Sequence, residues 1–238
     1  TATANVTVNA ALSLVPATLT LATNGTSTFT ASGGVSPYSF TITSGGGSID
    51  AASGAFTAPA AAGTVSIRAS DALGNSATST VTVVAPVLIA PAAITLAAGN
   101  SNSFSASGGL APYSYSVQSG GGNINSASGA YTAAASAGSA VVRVTDSLGQ
   151  TADANVTVNS ALTISPLSAT LAYSANQNFT DAAGVGPYTF AVKTGAGSVN
   201  SSGAYTASSA SGSATVEVTD SLGNTALAAV TVVAPVSL

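Results

Sequence analysis

The chain has 238 residues, with three Lys or Arg, seven Asp or Glu, no His, a net charge of −4 and an apolar fraction of 46%. Only 4% of it is charged, against about 25% in an ordinary soluble domain, so its polar surface must come from Ser, Thr, Asn, Gln and the backbone. Three basic residues exclude the clustered Lys and Arg of a nucleic-acid footprint or of docking on anionic lipid, and the absence of Cys excludes disulfides, thiolate chemistry and Cys-ligated metal.

In chain order, the first landmark is Val6-Thr7-Val8. Residues 1–9 (TATANVTVN) nearly copy residues 151–159 (TADANVTVN), and Val-Thr-Val recurs from Val81, Val156 and Val230, each time closing a unit. Residues 1–9 therefore read as the final strand of a preceding module. The alternative is that Val6, Thr7 and Val8 add to the sheet of a neighbouring chain, as in strand-addition polymers. The next markers step by 75 residues: Pro16, Pro91 and Pro166, then Phe29, Phe104 and Phe179, then Pro37-Tyr38, Pro112-Tyr113 and Pro187-Tyr188. The third unit lacks one residue in the turn before Gly203, so Gly54, Gly129 and Gly203 step by 75 and then 74, as do Asp71, Asp146 and Asp220. A fixed long period of this kind is the mark of a tandem array.

Within each unit short segments alternate at period two. Val65, Ile67 and Ala69 oppose Ser66 and Arg68; Ala140, Val142 and Val144 oppose Val141 and Arg143; Ala214, Val216 and Val218 oppose Glu217. A position that accepts Val, Arg or Glu faces solvent while its alternates stay small and apolar, which describes a half-buried antiparallel strand. About seven such segments per unit, with turns every 8–12 residues, predict β-sandwiches. No stretch has helical periodicity. The expected organisation is a preceding module's last strand at 1–9, modules at 10–85, 86–159 and 160–234, and the start of a following module at 235–238. The joints Val84-Ala85-Pro86 and Asn159-Ser160-Ala161 are short, and Pro restricts both itself and its predecessor, which predicts a stiff rod. The apolar run from Val81 to Ala98 has the length of a membrane span, but Pro86 and Pro91 interrupt it and its counterparts contain polar residues, so no membrane insertion is expected. The segment has no initiator Met and no signal-peptide pattern, which places any export signal outside it.

The strings Ser-Gly-Gly-x-x-Pro-Tyr, Ser-Gly-Gly-Gly-x-Ile, Ser-Gly-Ala-Phe/Tyr-Thr-Ala, Val-x-Asp-Ser-Leu-Gly-Asn and Val-Thr-Val together resemble the bacterial Ig-like repeats that occur in tandem in large surface proteins, adhesins and extracellular fibres. The resemblance covers all three modules. It implies an all-β chain of three Ig-like antiparallel sandwiches, an extracellular or cell-surface location, and service as a spacer or fibre body. The scarcity of charge sets this segment apart from calcium-stiffened relatives.

Candidate sites are few. Asp71, Asp146 and Asp220 in Asp-x-Leu-Gly suit a hairpin turn, with Asp accepting backbone N–H groups, Leu73 and its equivalents tucked into the core, and Gly74, Gly149 and Gly223 taking positive φ. A calcium site at the same aspartates would need six to eight oxygens and several carboxylates, and the acidic residues are scattered. Tyr38, Phe40, Tyr113, Tyr115, Tyr188 and Phe190 could form a carbohydrate platform, but their i, i+2 spacing and the absence of Trp fit core filling. Tyr131, Tyr205 and Tyr173 are less constrained by spacing and could be surface contacts. Gly45-Gly46-Gly47 and Gly120-Gly121-Gly122 lack the strand, helix and Lys of a phosphate loop. Lys193 aligns with Thr43 and Gln118, which rules out an isopeptide crosslink shared by all modules. With neither His nor Cys, and no cleft for a carboxylate pair such as Glu217 and Asp220, the chain is not expected to be an enzyme and needs no cofactor.

The expected function is structural: the body of an extracellular bacterial fibre, filament or stalk, whose partners are neighbouring modules or further copies of itself. The alternatives are an adhesin segment that recognises a glycan or host surface through loop tips, and a phage tail or decoration protein.

Overall fold

A computed structural model describes residues 3–4 and 6–234. The expected start of a following module, 235–238, lies outside the described residues, as do Thr1, Ala2 and Asn5. Among the described residues there are 27 strands and no helix.

The first module contains β1 (Ser13–Val15), β2 (Thr18–Ala22), β3 (Thr26–Thr28), β4 (Thr30–Ser32), β5 (Ser39–Ser44), β6 (Ser48–Ile49), β7 (Ala55–Thr57), β8 (Gly63–Ser70) and β9 (Ser76–Val84). These form a four-stranded sheet in the order β2-β9-β8-β5, a three-stranded sheet β3-β7-β6 and the pair β1-β4. The second module repeats the four-stranded sheet with Ala93–Ala97, Thr151–Asn159, Gly138–Thr145 and Ser114–Ser119, and the third with Ser168–Ala172, Thr225–Val233, Gly212–Thr219 and Thr189–Thr194. The chain is thus three Ig-like β-sandwiches in tandem.

Nine strands per module replace the expected seven, because two of the seven are interrupted. Pro16, which has no N–H to give a ladder, stands between β1 and β2. Phe29 stands between β3 and β4, and its N–H goes to the Gly54 carbonyl at 2.9 Å while β3 pairs with β7 and β4 pairs with β1. One continuous stretch therefore serves two sheets. The antiparallel expectation also has one exception per module. β2 runs parallel to β9, with Leu19 beside Val81 and Leu21 beside Val83, and the same parallel pairing recurs in the other two modules. β2 is the edge strand of this sheet and runs in the same direction as β9, the last strand of the module.

The period-two pattern becomes burial. Val65, Ile67 and Ala69 are buried, as are Ala140, Val142 and Val144, and Ala214, Val216 and Val218. At the centre of each module two aromatic rings meet edge to face: Phe29 and Phe56 at 5.9 Å, Phe104 and Tyr131 at 6.0 Å, Phe179 and Tyr205 at 6.3 Å. Such pairs add about 0.5–1.5 kcal/mol beyond the area they bury.

Tyr131 and Tyr205 therefore overturn the expectation of surface contacts. Both are fully buried, because each occupies the place of Phe56 in the middle strand of the three-stranded sheet. Their hydroxyls donate to the Gly121 carbonyl at 2.7 Å and the Ala196 carbonyl at 2.6 Å, and burial pushes both phenols above their ordinary pKa. Tyr173 is half-buried against the third core. Phe40 and Tyr115 are buried, while Tyr38, Tyr113 and Tyr188 are half-buried, with hydroxyls donating to the carbonyls of Gly33, Gly108 and Ala183 at 2.6, 2.6 and 2.7 Å.

One core position is anomalous. Ser79 is 1% exposed and its hydroxyl has no hydrogen-bond partner among the described residues, whereas its counterparts Ala154 and Ala228 are buried without a polar atom. A buried hydroxyl without a partner carries its full desolvation cost. Ser79→Ala is expected to stabilise the first module by about 1 kcal/mol, read as a rise in the denaturant midpoint of that module's unfolding.

Candidate functional site

The feature repeated most faithfully outside the cores is built on Asp71, Asp146 and Asp220, which are buried. Each follows the long strand that ends at Ser70, Thr145 or Thr219 and opens the turn to the last strand of its module. Gly74, Gly149 and Gly223 adopt φ of 84°, 80° and 81°, where a side chain would be strained.

The Asp71 carboxylate accepts four hydrogen bonds. Oδ1 takes the N–H groups of Leu73 at 3.0 Å and Asn75 at 2.8 Å; Oδ2 takes the N–H of Val35 at 3.0 Å and Nδ2 of Asn75 at 2.9 Å. Asp146 repeats the set with Leu148, Gln150 and Leu110 N–H groups and Gln150 Nε2. Asp220 does so with Leu222, Asn224 and Val185 N–H groups and Asn224 Nδ2. One oxygen shapes the local turn, and the other reaches a loop 35 or 36 residues earlier in the chain.

That earlier loop is anchored a second time. The N–H of Gly34 donates to the Ala10 carbonyl at 2.7 Å, that of Gly109 to Ala85 at 2.9 Å and that of Gly184 to Ser160 at 3.0 Å. Gly34 has φ +58°, and a Cβ there would meet Asp71 Oδ2 at 2.5 Å, so the close approach of loop and carboxylate requires glycine. Ser147 and Ser221 add hydroxyl donations to the carbonyls of Leu110 and Val185, each at 2.8 Å.

The three carboxyls are held below the ordinary carboxylate range. For Asp71 the Asn75 amide is the largest cause, set against burial and joined by the N–H groups of Val35, Asn75 and Leu73. For Asp146 burial raises the pKa but is outweighed by Leu110, Gln150 and Leu148. For Asp220 burial is outweighed by Asn224, Val185 and Leu222. Four donors around each carboxylate leave it ill-suited to calcium, which takes carboxylate oxygens as ligands and needs several of them. Among the described residues no three Asp, Glu, His or Cys gather as a cation site.

Leu73, Leu148 and Leu222 do not tuck into the core as expected. They are 68%, 36% and 43% exposed, because each lies in a tight turn beyond the end of the sandwich and engages the aspartate through its backbone N–H alone. A cleft of about 520 Å³ lies beside this turn in the first module, lined by Thr7, Val8, Leu12, Val35, Leu73 and Asn75 among others; it gathers no acid–base pair. Val6 and Val8 are 83% and 89% exposed and lie outside any strand.

Of the remaining charges Asp50 caps a turn and the others lie in strands. Arg143 and Asp153 form a two-pronged ion pair at 2.7 Å, and Lys193 pairs with Glu217. Exposed pairs of this kind contribute little to stability. The reach of the aspartates into the earlier loop escaped the sequence reading. Its signal was present as Gly-Gly at 33–34 and 108–109, repeated in step with the aspartate.

No protein-family model matches the sequence, and comparison with curated proteins finds no match. Solved structures similar to the chain include the EC22-24 fragment of mouse cadherin-23, with 14% identity over 94% of this chain and 99% of that one at a TM-score of 0.29. Three N-terminal domains of the highly immunogenic outer capsid protein of bacteriophage RB49 share 13% identity over 91% and 95%, at 0.44. A C-terminal intimin fragment, solved with the intimin-binding domain of its translocated receptor, shares 18% identity over 70% and 56%, at 0.36. These likenesses are of fold.

The depressed aspartate pKa values set a pH dependence. Stability contributed by these groups is complete above the unfolded value near pH ~4 and is lost as pH falls through the lower folded value. Asp71→Asn is expected to lower the unfolding midpoint at neutral pH, with the difference from wild type shrinking below about pH 4 in an acid series of thermal melts. Added calcium or a chelator is expected to leave the wild-type midpoint unchanged.

Proposed function

We propose that the chain is part of the body of an extracellular bacterial fibre, filament or cell-surface stalk, with module boundaries at 10–85, 86–159 and 160–234. The observation that carries this reading is the repetition itself: three sandwiches, each with its own core, carry the same aspartate turn tied to the backbone at the module's entry. An array of this kind grows in length by adding units, each stabilised by its own core and its contact with the next. Loops differing from module to module, with convergent polar or aromatic groups, would favour recognition of a ligand. Here the loops are near copies rich in Gly, Ser and Ala.

On this reading the chain is not an enzyme. Its partners are neighbouring modules or other copies, and the low charge leaves little repulsion against side-by-side packing. The exposed Val6 and Val8 lie outside any strand in a segment that copies a closing strand, and on this reading the segment becomes a strand by adding to a neighbour's sheet. Electron microscopy of the native material, with a scattering mass in solution, is expected to show long uniform filaments or surface projections with a repeat matching the modules. Discrete soluble particles of monomer mass would exclude the fibre, and loop-tip recognition of a glycan would then be tested.

A further inference from the structure

The sequence contains five Asn-x-Ser/Thr triplets, at Asn5, Asn24, Asn155, Asn178 and Asn200, the acceptor pattern for N-linked sugar in exported proteins. The pattern alone is common in a chain so rich in Ser and Thr, and the structure separates its members. Asn5 lies outside the described residues. Asn155 lies within Thr151–Asn159, between two other strands of its sheet, and Asn178 ends the paired strand Asn176–Asn178. Their backbones are held in ladders, which hinders a transferase from gripping the acceptor segment. Asn24 and Asn200 lie in turns.

Asn24 is exposed between β2 and β3, at φ 60°. Its N–H donates to the Pro59 carbonyl at 3.2 Å, and that of Gly25 to Ala22 at 3.0 Å. These are turn bonds outside the strand ladders, and the side-chain amide has no hydrogen-bond partner among the described residues.

Asn200 is exposed at the turn after Ser198–Val199. Its Oδ1 accepts from the Ser202 N–H at 3.0 Å, the Ser202 hydroxyl at 2.8 Å and the Ala204 N–H at 2.9 Å, whereas its Nδ2 has no partner among the described residues. Asp50 and Asn125 cap the corresponding turns through the same oxygen, with Ser53 and Ser128 three residues on. The one-residue deletion in the third module brings the serine to two residues on, which turns a cap into an acceptor triplet. Several asparagines outside the triplets are committed differently: Nδ2 of Asn75, Asn102 and Asn224 each donates to another protein group.

From these positions we propose that Asn24 and Asn200 are N-glycosylation sites. The proposal rests on the export included in the reading above. The co-substrate is an activated glycosyl diphosphate presented by a transferase. Nδ2 forms a bond to the anomeric carbon, the bond from that carbon to the diphosphate oxygen breaks, the diphosphate leaves with the electron pair, and one Nδ2 proton is released to solvent. No oxidation state changes. At Asn200 the turn keeps its cap, because the capping atom is the oxygen. Sugar at these two turns supplies hydration and bulk to a surface with ten charged residues in 238.

The test is glycopeptide mapping by mass spectrometry on the protein isolated from its producing cells, with a protease suited to a chain with three basic residues. Peptides containing Asn24 and Asn200 are expected to carry a sugar mass on the asparagine, and those containing Asn75 and Asn224 to lack it. Thr26→Ala and Ser202→Ala are expected to abolish the sugar two residues upstream. Asn200→Asp, which keeps the capping oxygen as Asp50 does, is expected to abolish it in a folded chain. Unmodified mass at both asparagines, or sugar confined to Ser and Thr oxygens, overturns the proposal. Antibody labelling of intact cells separates the two readings. A surface-exposed chain with bare asparagines sinks glycosylation alone, and a chain retained inside the cell sinks the extracellular reading along with it.

Discussion

A sandwich of about 75 residues with no disulfide and almost no charge must satisfy its loop backbone from within, and here a buried carboxylate does so. Asp71, Asp146 and Asp220 each gather three backbone N–H groups and one side-chain amide. A buried anion is costly in an apolar interior unless hydrogen-bonded to this degree, and the depressed pKa values show that these bonds outweigh burial. Because one oxygen serves the turn between the last two strands and the other a loop four strands earlier, removing the carboxylate would loosen both. That same loop donates to the backbone at the module's entry, so one residue per module links the last turn, the earlier loop and, through that loop, the entry.

The cores depend on a second repeated device, an edge-to-face aromatic pair. The first module uses Phe56 where the others use Tyr131 and Tyr205. The exchange is tolerated because a backbone carbonyl lies within reach of each hydroxyl, which satisfies the buried polar atom. Ser79 is the contrary case, a hydroxyl placed where its counterparts are Ala and without a partner among the described residues. Two substitutions of similar chemistry thus have opposite consequences, decided by whether an acceptor stands nearby.

A charge-poor surface shapes what such an array can do. Electrostatic steering of ligands and tight cation binding both need fixed charge, and the few ion pairs present are exposed and local. What remains is surface made of hydroxyls, amides and paired backbone.

Much of this was legible in the residues. The period of 75, the alternation at Val65, Ile67 and Ala69, and the hairpin character of Asp-x-Leu-Gly are local or periodic signals, and they depend on neighbours within a few residues. The tertiary structure alone decided the parallel pairing of β2 with β9, the burial of Tyr131 and Tyr205, the exposure of Leu73, and the reach of Asp71 to Val35. Each of these is set by which segments lie opposite one another across or between sheets. A tyrosine in a three-residue strand has the same sequence neighbours whether its ring crosses the sandwich or faces water. A leucine in a turn likewise reads as core until the turn is seen to project beyond the sheets. Pairing over 35 or 60 residues leaves no periodic trace, so the order of the strands, fixed only when the chain packs, settled what composition and spacing left open.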